Sequence, residues 1–255
     1  MEFVTVDIEA AVALVRLDRP PVNALNAQLA AELKEAFTSC QDGSIRAVVV
    51  TGKPHFAAGA DIKAFKVTLD SGAKERSANA LVEAIAILEG LEKPTIAAVH
   101  GFALGGGCEL SMGCDFRYVA EDARIGQPEV LLGIIPGAGG TQRLQRLVGY
   151  QKAKELVFSG RHIEADEAHA IGYADKVAPT DDLLDLALSD AAEWATKATV
   201  AIAAAKKAMV GGRGVPFHEA MALEAIGFQR SFSSEDAVEG INAFVEKRPA
   251  DFKGR

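Results

Sequence analysis

Residues 95–116, TIAAVHGFALGGGCELSMGCDF, decide the kind of fold this chain adopts. The segment opens on a continuous apolar run, Thr95-Ile-Ala-Ala-Val99, as a strand does when both of its faces are covered. It breaks at Gly101, passes three consecutive glycines, Gly105-Gly106-Gly107, and leaves as a short helical stretch from Cys108 to Cys114. A buried strand that feeds a helix through a glycine-rich turn is a building unit of α/β proteins.

The same alternation extends in both directions. Val12–Leu17 reads as a strand ended by Pro20-Pro21. Asn23–Ser39 has helical spacing at Leu25, Leu29, Leu33 and Phe37. Ala47–Thr51 is a second continuous apolar strand, closed by Gly52, and Ala80–Leu91 is helical up to the stop at Pro94. Val67–Asn79 is polar and mixed, and its composition predicts a mobile connection. Phe116–Ala120 reads as a strand, Ala138–Val148, Gln151–Phe158 and Glu164–Ala170 as helices, and Ala174–Val177 as a last short strand. From Asp181 to Val245 the pattern is helical, broken at Gly211–Gly214. The expectation is an α/β core with a mostly parallel sheet, followed by helices that form an extra layer or an oligomerisation element.

Composition narrows the function. A chain of 255 residues, 49% hydrophobic and 24% charged, is an ordinary globule large enough for a full core. Its formal net charge of −8 argues against broad nucleic-acid binding, and its basic features, Lys206-Lys207 and Lys247-Arg248, are short. That leaves an RNA-binding or scaffolding role the weaker alternative. Cys40, Cys108 and Cys114 form no CxxC and are odd in number, as expected of reduced thiols in a cytoplasmic compartment. Met1–Ala13 has no basic n-region of a signal peptide, and no apolar run reaches the ~20 residues of a membrane span. The sequence carries no GxSxG elbow, no Walker A loop and no complete dinucleotide fingerprint, and its five histidines have no zinc spacing, so no metal is expected.

Two acids stand out by isolation. From Pro94 to Phe116 the only formal charges are Glu109 and Asp115, and from Ile125 to Gln142 the only one is Glu129. A carboxylate in apolar surroundings is costly unless paired or hydrogen-bonded. Glu109 falls in the first turn of the helix opened by Gly105-Gly106-Gly107, whose free N–H groups make an oxyanion site. The alternative is a tightly packed helix with Glu109 as a first-turn capping acid. The apolar surroundings of Glu129 predict a raised pKa, suited to acid/base work near neutral pH. The alternative there is a loop carboxylate bonded to backbone amides. Asp115, at a helix end, reads as structural, and Phe56–Asp61 offers a second N–H from a tight loop.

At these residues the chain closely resembles the enoyl-CoA hydratase (crotonase) family. The resemblance rests on FAAGADIK at 56–63, IAAVHGFALGGGCELSMGCD at 96–115 and GQPEVLLGIIPGAGGTQRL at 126–144, with ELVFSGRHIEADEAHAIGYADKV at 155–177 and AFVEKRPADFK at 243–253. It implies a crotonase-like spiral of ββα units over residues 1–190, with a C-terminal helical oligomerisation region over 191–255. It implies an acyl-CoA substrate and no separate cofactor, coenzyme A being part of the substrate. It also implies a homo-oligomer, a trimer or a hexamer built as a dimer of trimers. By resemblance the thioester oxyanion is held by the N–H groups of Ala60 and Gly106, and the catalytic acids are Glu109 and Glu129. Ala58, Ala60, Asp61, Ile62 and Lys63 line the pantetheine and acyl channel with Gly106, and Phe244 and Lys247 complete the coenzyme A pocket, often from a neighbouring subunit. Arg19-Pro20-Pro21-Val22-Asn23 is one residue shorter than in many relatives and lacks their basic residue near the coenzyme A phosphates. The implied reaction adds water across the 2,3 double bond of a trans-2-enoyl-CoA. Retention of both glutamates favours hydration over isomerisation or another acyl-CoA reaction of the family. The sequence leaves the division of roles open; the working assignment gives Glu109 the water and Glu129 the C2 proton.

Overall fold

The computed structural model describes residues 1–72 and 79–255. β1 (Val4–Glu9) and β2 (Val12–Leu17) form an antiparallel hairpin, after which α1 (Ala27–Ser39) begins on the cap Asn26, whose side chain accepts from Leu29 N at 2.8 Å. β3 (Ala47–Gly52), α2 (Ile62–Asp70), α3 (Asn79–Glu89) and β4 (Thr95–Val99) follow. Then come β5 (Phe102–Leu104), α4 (Gly106–Ser111), β6 (Phe116–Ala120), β7 (Arg124–Gly126) and a short 3₁₀ turn at Pro128–Leu132. α5 (Gly140–Val148), α6 (Tyr150–Ser159), β8 (His162–Ile163), α7 (Ala165–Ala170) and β9 (Lys176–Ala178) complete the α/β part. Four helices close the chain: α8 (Leu183–Ala195), α9 (Thr199–Gly211), α10 (Phe217–Phe232) and α11 (Glu235–Glu246).

The strands build two sheets. The larger runs β1-β2-β3-β4-β6-β9 and is parallel apart from β1. Its unbroken apolar strands are explained by cover on both faces. Ala47, Val49, Ile96 and Ala98 point to α8, whereas Val48, Val50, Ala97 and Val99 point to the core beneath α1 and α3. The smaller sheet is β5-β7-β8, and two single bridges, Ala57 to Ala103 and Leu25 to Ala60, continue it outward. Each turn of the chain therefore leaves a strand in the large sheet, touches the small layer, and returns through a helix. This is the ββα spiral.

Differences from the sequence reading have local causes. Val67–Asp70 is helical rather than loop, because Asp61 caps α2 (Lys63 N to Oδ1, 3.2 Å) and Ile62, Phe65 and Leu69 keep i, i+3, i+7 spacing. The rest of that expected connection, 73–78, lies outside the described residues. β5, β7 and β8 have three residues or fewer, too few for a period to register. Asp115 is structural as expected: it accepts from Thr95 N and Oγ1 and from Lys206 Nζ, each at 2.9 Å, tying α4, β4 and α9 together. Arg46 anchors the tail by donating to Thr199 Oγ1, Lys197 O and Phe252 O at 2.6–2.9 Å.

One close approach fixes the centre. A Cβ on Gly107 would lie 2.0 Å from the carbonyl oxygen of Ala57, which itself accepts from Leu104 N. Neither backbone can yield without breaking the layer. Gly107→Ala should therefore destabilise the fold by about 3 kcal/mol or more, at the upper end of overpacking effects, as read by urea unfolding.

Candidate functional site

The head of α4 collects the site. Gly105, at φ +49°, donates its N–H to Gly126 O at 2.9 Å and turns the chain from β5 into the helix. Gly106 follows as the first helical residue, where the N–H has no partner within the helix. Loop 56–61 lies alongside, with Ala57 N bonded to Phe102 O at 2.8 Å and Gly59 against Leu104 and Gly105. On its other side, Leu25 N donates to Gly59 O (2.7 Å) and Asp61 N to Leu25 O (3.0 Å). This parallel bridge uses the groups on either side of Ala60 and turns the Ala60 N–H the opposite way. Among the described residues, neither the Ala60 nor the Gly106 amide donates to a protein acceptor. Two free N–H groups on adjoining segments are what an oxyanion requires.

The two isolated glutamates face this turn. Glu109 is 2% exposed, and its Oε1 accepts from Ala138 N at 2.6 Å and Gly140 N at 2.7 Å. It thus caps the N-terminus of α5 rather than that of its own helix. Its other oxygen, Oε2, lies 4.0 Å from where a Cβ on Gly106 would be. Glu129 enters from the 3₁₀ turn and places Oε1 2.8 Å from the equivalent point on Gly105. Burial pushes its carboxyl up, its own backbone N–H opposes this, and the nearby Glu109 charge adds to the rise, so that it titrates at about 7. The paired backbone amides hold Glu109, whereas Glu129 has its own N–H and the raised pKa expected of it.

The other site candidates divide. Ala58 donates its N–H to Val22 O at 2.9 Å and helps hold the loop. Asp61 caps α2 and forms an ion pair with Arg19 at 2.9 Å; burial works against its charge, but the guanidinium keeps the carboxyl below the usual range. Ile62 and Lys63 are exposed at the start of α2. Phe244, 85% exposed, lies on α11 and Lys247 caps its C-terminal end; the helix packs on α10 and on Phe252.

Three side chains escaped the sequence reading. Gln127 is fully buried, and with its amide nitrogen turned to Glu129 it donates to both carboxylate oxygens at 3.1 Å. Arg19 and Asn23 brace the loops. All three are polar groups in apolar or proline-rich stretches; a search for isolated formal charges passes over the amides. A cavity of about 460 Å³ lies elsewhere, lined by Met112, Trp194, Ile202 and Met209. Its two carboxylates, Glu89 and Asp115, are paired with Arg143 and Lys206, and neither Glu109 nor Glu129 lines it.

Known proteins place the chain in a family. The family model described as enoyl-CoA hydratase/isomerase matches residues 7–255. The chain is 43% identical to the crotonyl-CoA hydratase of Syntrophomonas wolfei, covering 98% of each. It is 42% identical to the short-chain-enoyl-CoA hydratase of Clostridium acetobutylicum, covering 99% of this chain and 98% of the relative. The crystal structure of an enoyl-CoA hydratase from Bacillus anthracis superposes with a TM-score of 0.92 at 37% identity, over 99% of this chain and 100% of that one. Matched over nearly its whole length, the chain belongs to the enoyl-CoA hydratase/isomerase family.

Proposed function

We propose that this protein hydrates a trans-2-enoyl-CoA to the 3-hydroxyacyl-CoA, reversibly, with no cofactor beyond the coenzyme A of the substrate. The observation that carries the reading is the meeting of two unused amides with two carboxylates held in opposite ways. The thioester oxygen accepts from Ala60 N–H and Gly106 N–H, so electron density drawn from the double bond leaves C3 electrophilic. Glu109, anchored through Oε1, accepts a hydrogen bond from water and takes its proton as the water oxygen bonds C3. Glu129, half protonated near neutral pH, delivers a proton to C2. A proton then returns from Glu109 to Glu129 through solvent, and both are reset.

The acyl channel passes Ala58 to Lys63, and the exposed apolar residues of the tail support assembly into trimers or hexamers. Phe228, Phe232, Ile241 and Phe244 are more than half exposed in the single chain, a larger apolar surface than a lone protomer needs. In such an assembly Phe244 and Lys247 reach the coenzyme A of a neighbouring subunit. No helix among the described residues is long and apolar enough to cross a membrane. The three unpaired cysteines fit a reducing, cytoplasmic compartment.

Loss of the conjugated enoyl-thioester absorbance of crotonyl-CoA tests the reaction directly. Glu129→Gln should lower kcat by about 10²- to 10⁴-fold, as loss of a positioned general acid does. It should also remove C2 deuterium incorporation from D2O more completely than Glu109→Gln; equal loss in the two variants would refute the assignment of roles. The pH profile follows from the sign of the shift. Hydration needs the glutamate pair carrying one proton, on Glu129, and dehydration needs the same singly protonated pair with the proton on Glu109, so kcat/KM should fall as pH rises through about 7 in both directions alike. Light scattering should give a mass that is three or six times that of the chain.

A further inference from the structure

The Ala60 amide sits on a loop with little structure of its own, held from the outside by residues 22–25. That outer segment is itself irregular, and its pairing with the loop is the single bridge between Leu25 and Ala60. Its shape comes from two side chains. Asn23, fully buried at the left-handed φ of +53°, donates Nδ2 to His55 O at 2.6 Å and to Phe56 O at 3.2 Å, and accepts from Arg19 N at 2.6 Å. The Arg19 guanidinium then spans the bridge. Nη1 donates to Ala24 O at 2.6 Å, and Nη2 donates to Asp61 Oδ2 at 2.9 Å. Ala24 comes just before Leu25, and Asp61 comes just after Ala60. One planar fork therefore holds both sides of a one-pair bridge, through residues 42 positions apart in the chain. The pair is mostly buried, with side-chain exposures of 23% and 18%, so solvent screens it less than a surface ion pair. The Phe3 ring lies 5.7 Å from the guanidinium carbon.

We infer that Arg19 is a positioning residue for the reaction: it touches no reacting atom, but fixes the direction of the Ala60 N–H by clamping Ala24 and Asp61 across the bridge. This rests on the proposed role of Ala60 as a donor to the thioester oxygen. Three backbone hydrogen bonds join the two segments, Leu25 N to Gly59 O, Asp61 N to Leu25 O and Ala58 N to Val22 O, too few to hold the loop as a strand ladder would, and an oxyanion donor that rocks loses most of its advantage in the transition state. Lysine at this position keeps the charge but has no planar fork to span both acceptors.

The test compares Arg19→Gln, Arg19→Lys and Asp61→Asn with the wild type. It reads kcat and KM for crotonyl-CoA, the melting temperature, and the carbonyl stretch of bound butanoyl-CoA by isotope-edited infrared difference spectroscopy. Butanoyl-CoA has no double bond to hydrate, so it reports polarisation of the thioester without turnover. Arg19→Gln should lower kcat by about 10- to 100-fold, less than outright removal of an oxyanion donor. KM should stay within about threefold, because the interaction matters mainly in the transition state. The downshift of the bound carbonyl should shrink in parallel. Asp61→Asn, which keeps an oxygen for the α2 cap but loses the charge, should follow Arg19→Gln, and Arg19→Lys should recover part of both readouts. A folded Arg19→Gln protein with the wild-type carbonyl shift overturns the proposal. So does a rate loss that follows the melting temperature alone while the carbonyl shift is unchanged. If Arg19→Gln does not fold, Arg19→Lys and Asp61→Asn decide by the same carbonyl shift. Failure of the underlying reading looks different: the wild-type protein itself would bind butanoyl-CoA with no downshift at all.

Discussion

The three glycines at the head of α4 touch every part of the site, and at none of them is there room for a side chain. A Cβ on Gly105 would sit 2.8 Å from Glu129 Oε1, one on Gly106 2.9 Å from Leu25 Cδ1, and one on Gly107 2.0 Å from Ala57 O. Close approach of backbones is therefore the constraint from which the rest follows. It brings loop 56–61 against β5, allows a carboxylate to reach the helix start, and leaves the Gly106 N–H without a protein acceptor among the described residues. A helix that began with side chains would push these groups apart and lose the geometry before any chemistry was at stake.

The site also answers an electrostatic problem, because two carboxylates meet in one apolar place. Each is held by a different means. Glu109 takes two backbone amides from the start of α5, so its negative charge is met by fixed dipoles. Glu129 has no such pair, and burial together with the Glu109 charge raises it to about 7. Fixing one charge is part of what unsettles the other. Two identical side chains thus sit in different surroundings, the condition for one to accept a proton while the other gives one. Gln127 adds an amide donor to Glu129 in the orientation its surroundings favour, which limits how far the carboxyl swings.

Much of this was legible in the sequence where the signal is local. Ala47–Thr51 and Thr95–Val99 are apolar without a break because both faces are covered, and the structure covers both. Glu109 and Glu129 stood out because an isolated charge in an apolar stretch needs a reason. The features that did not register depend on residues far apart in the chain. Glu109 finds its amides 29 and 31 residues away, and Arg19 finds Asp61 42 residues away. No window of sequence contains such a pair. α2 was obscured because its helical spacing lies on an exposed face beside a polar stretch, where composition alone reads as loop.

The two layers divide stability from placement. The large sheet is covered by α8 on one side and by α1 and α3 on the other, and carries the two hydrophobic clusters. The small layer has strands of two or three residues and two single bridges, too little pairing to be rigid by itself. Yet the small layer presents Ala60, Gly106, Glu109 and Glu129. Its groups must be held to a fraction of an ångström, and backbone pairing is too sparse there to do it. Side chains take over: Asn23 and Arg19 on one edge, Asn23 also reaching the carbonyls of His55 and Phe56, and Glu109 itself pinning the start of α5. In this fold the polar side chains around the site do for the small layer what hydrogen-bonded ladders do for the large one.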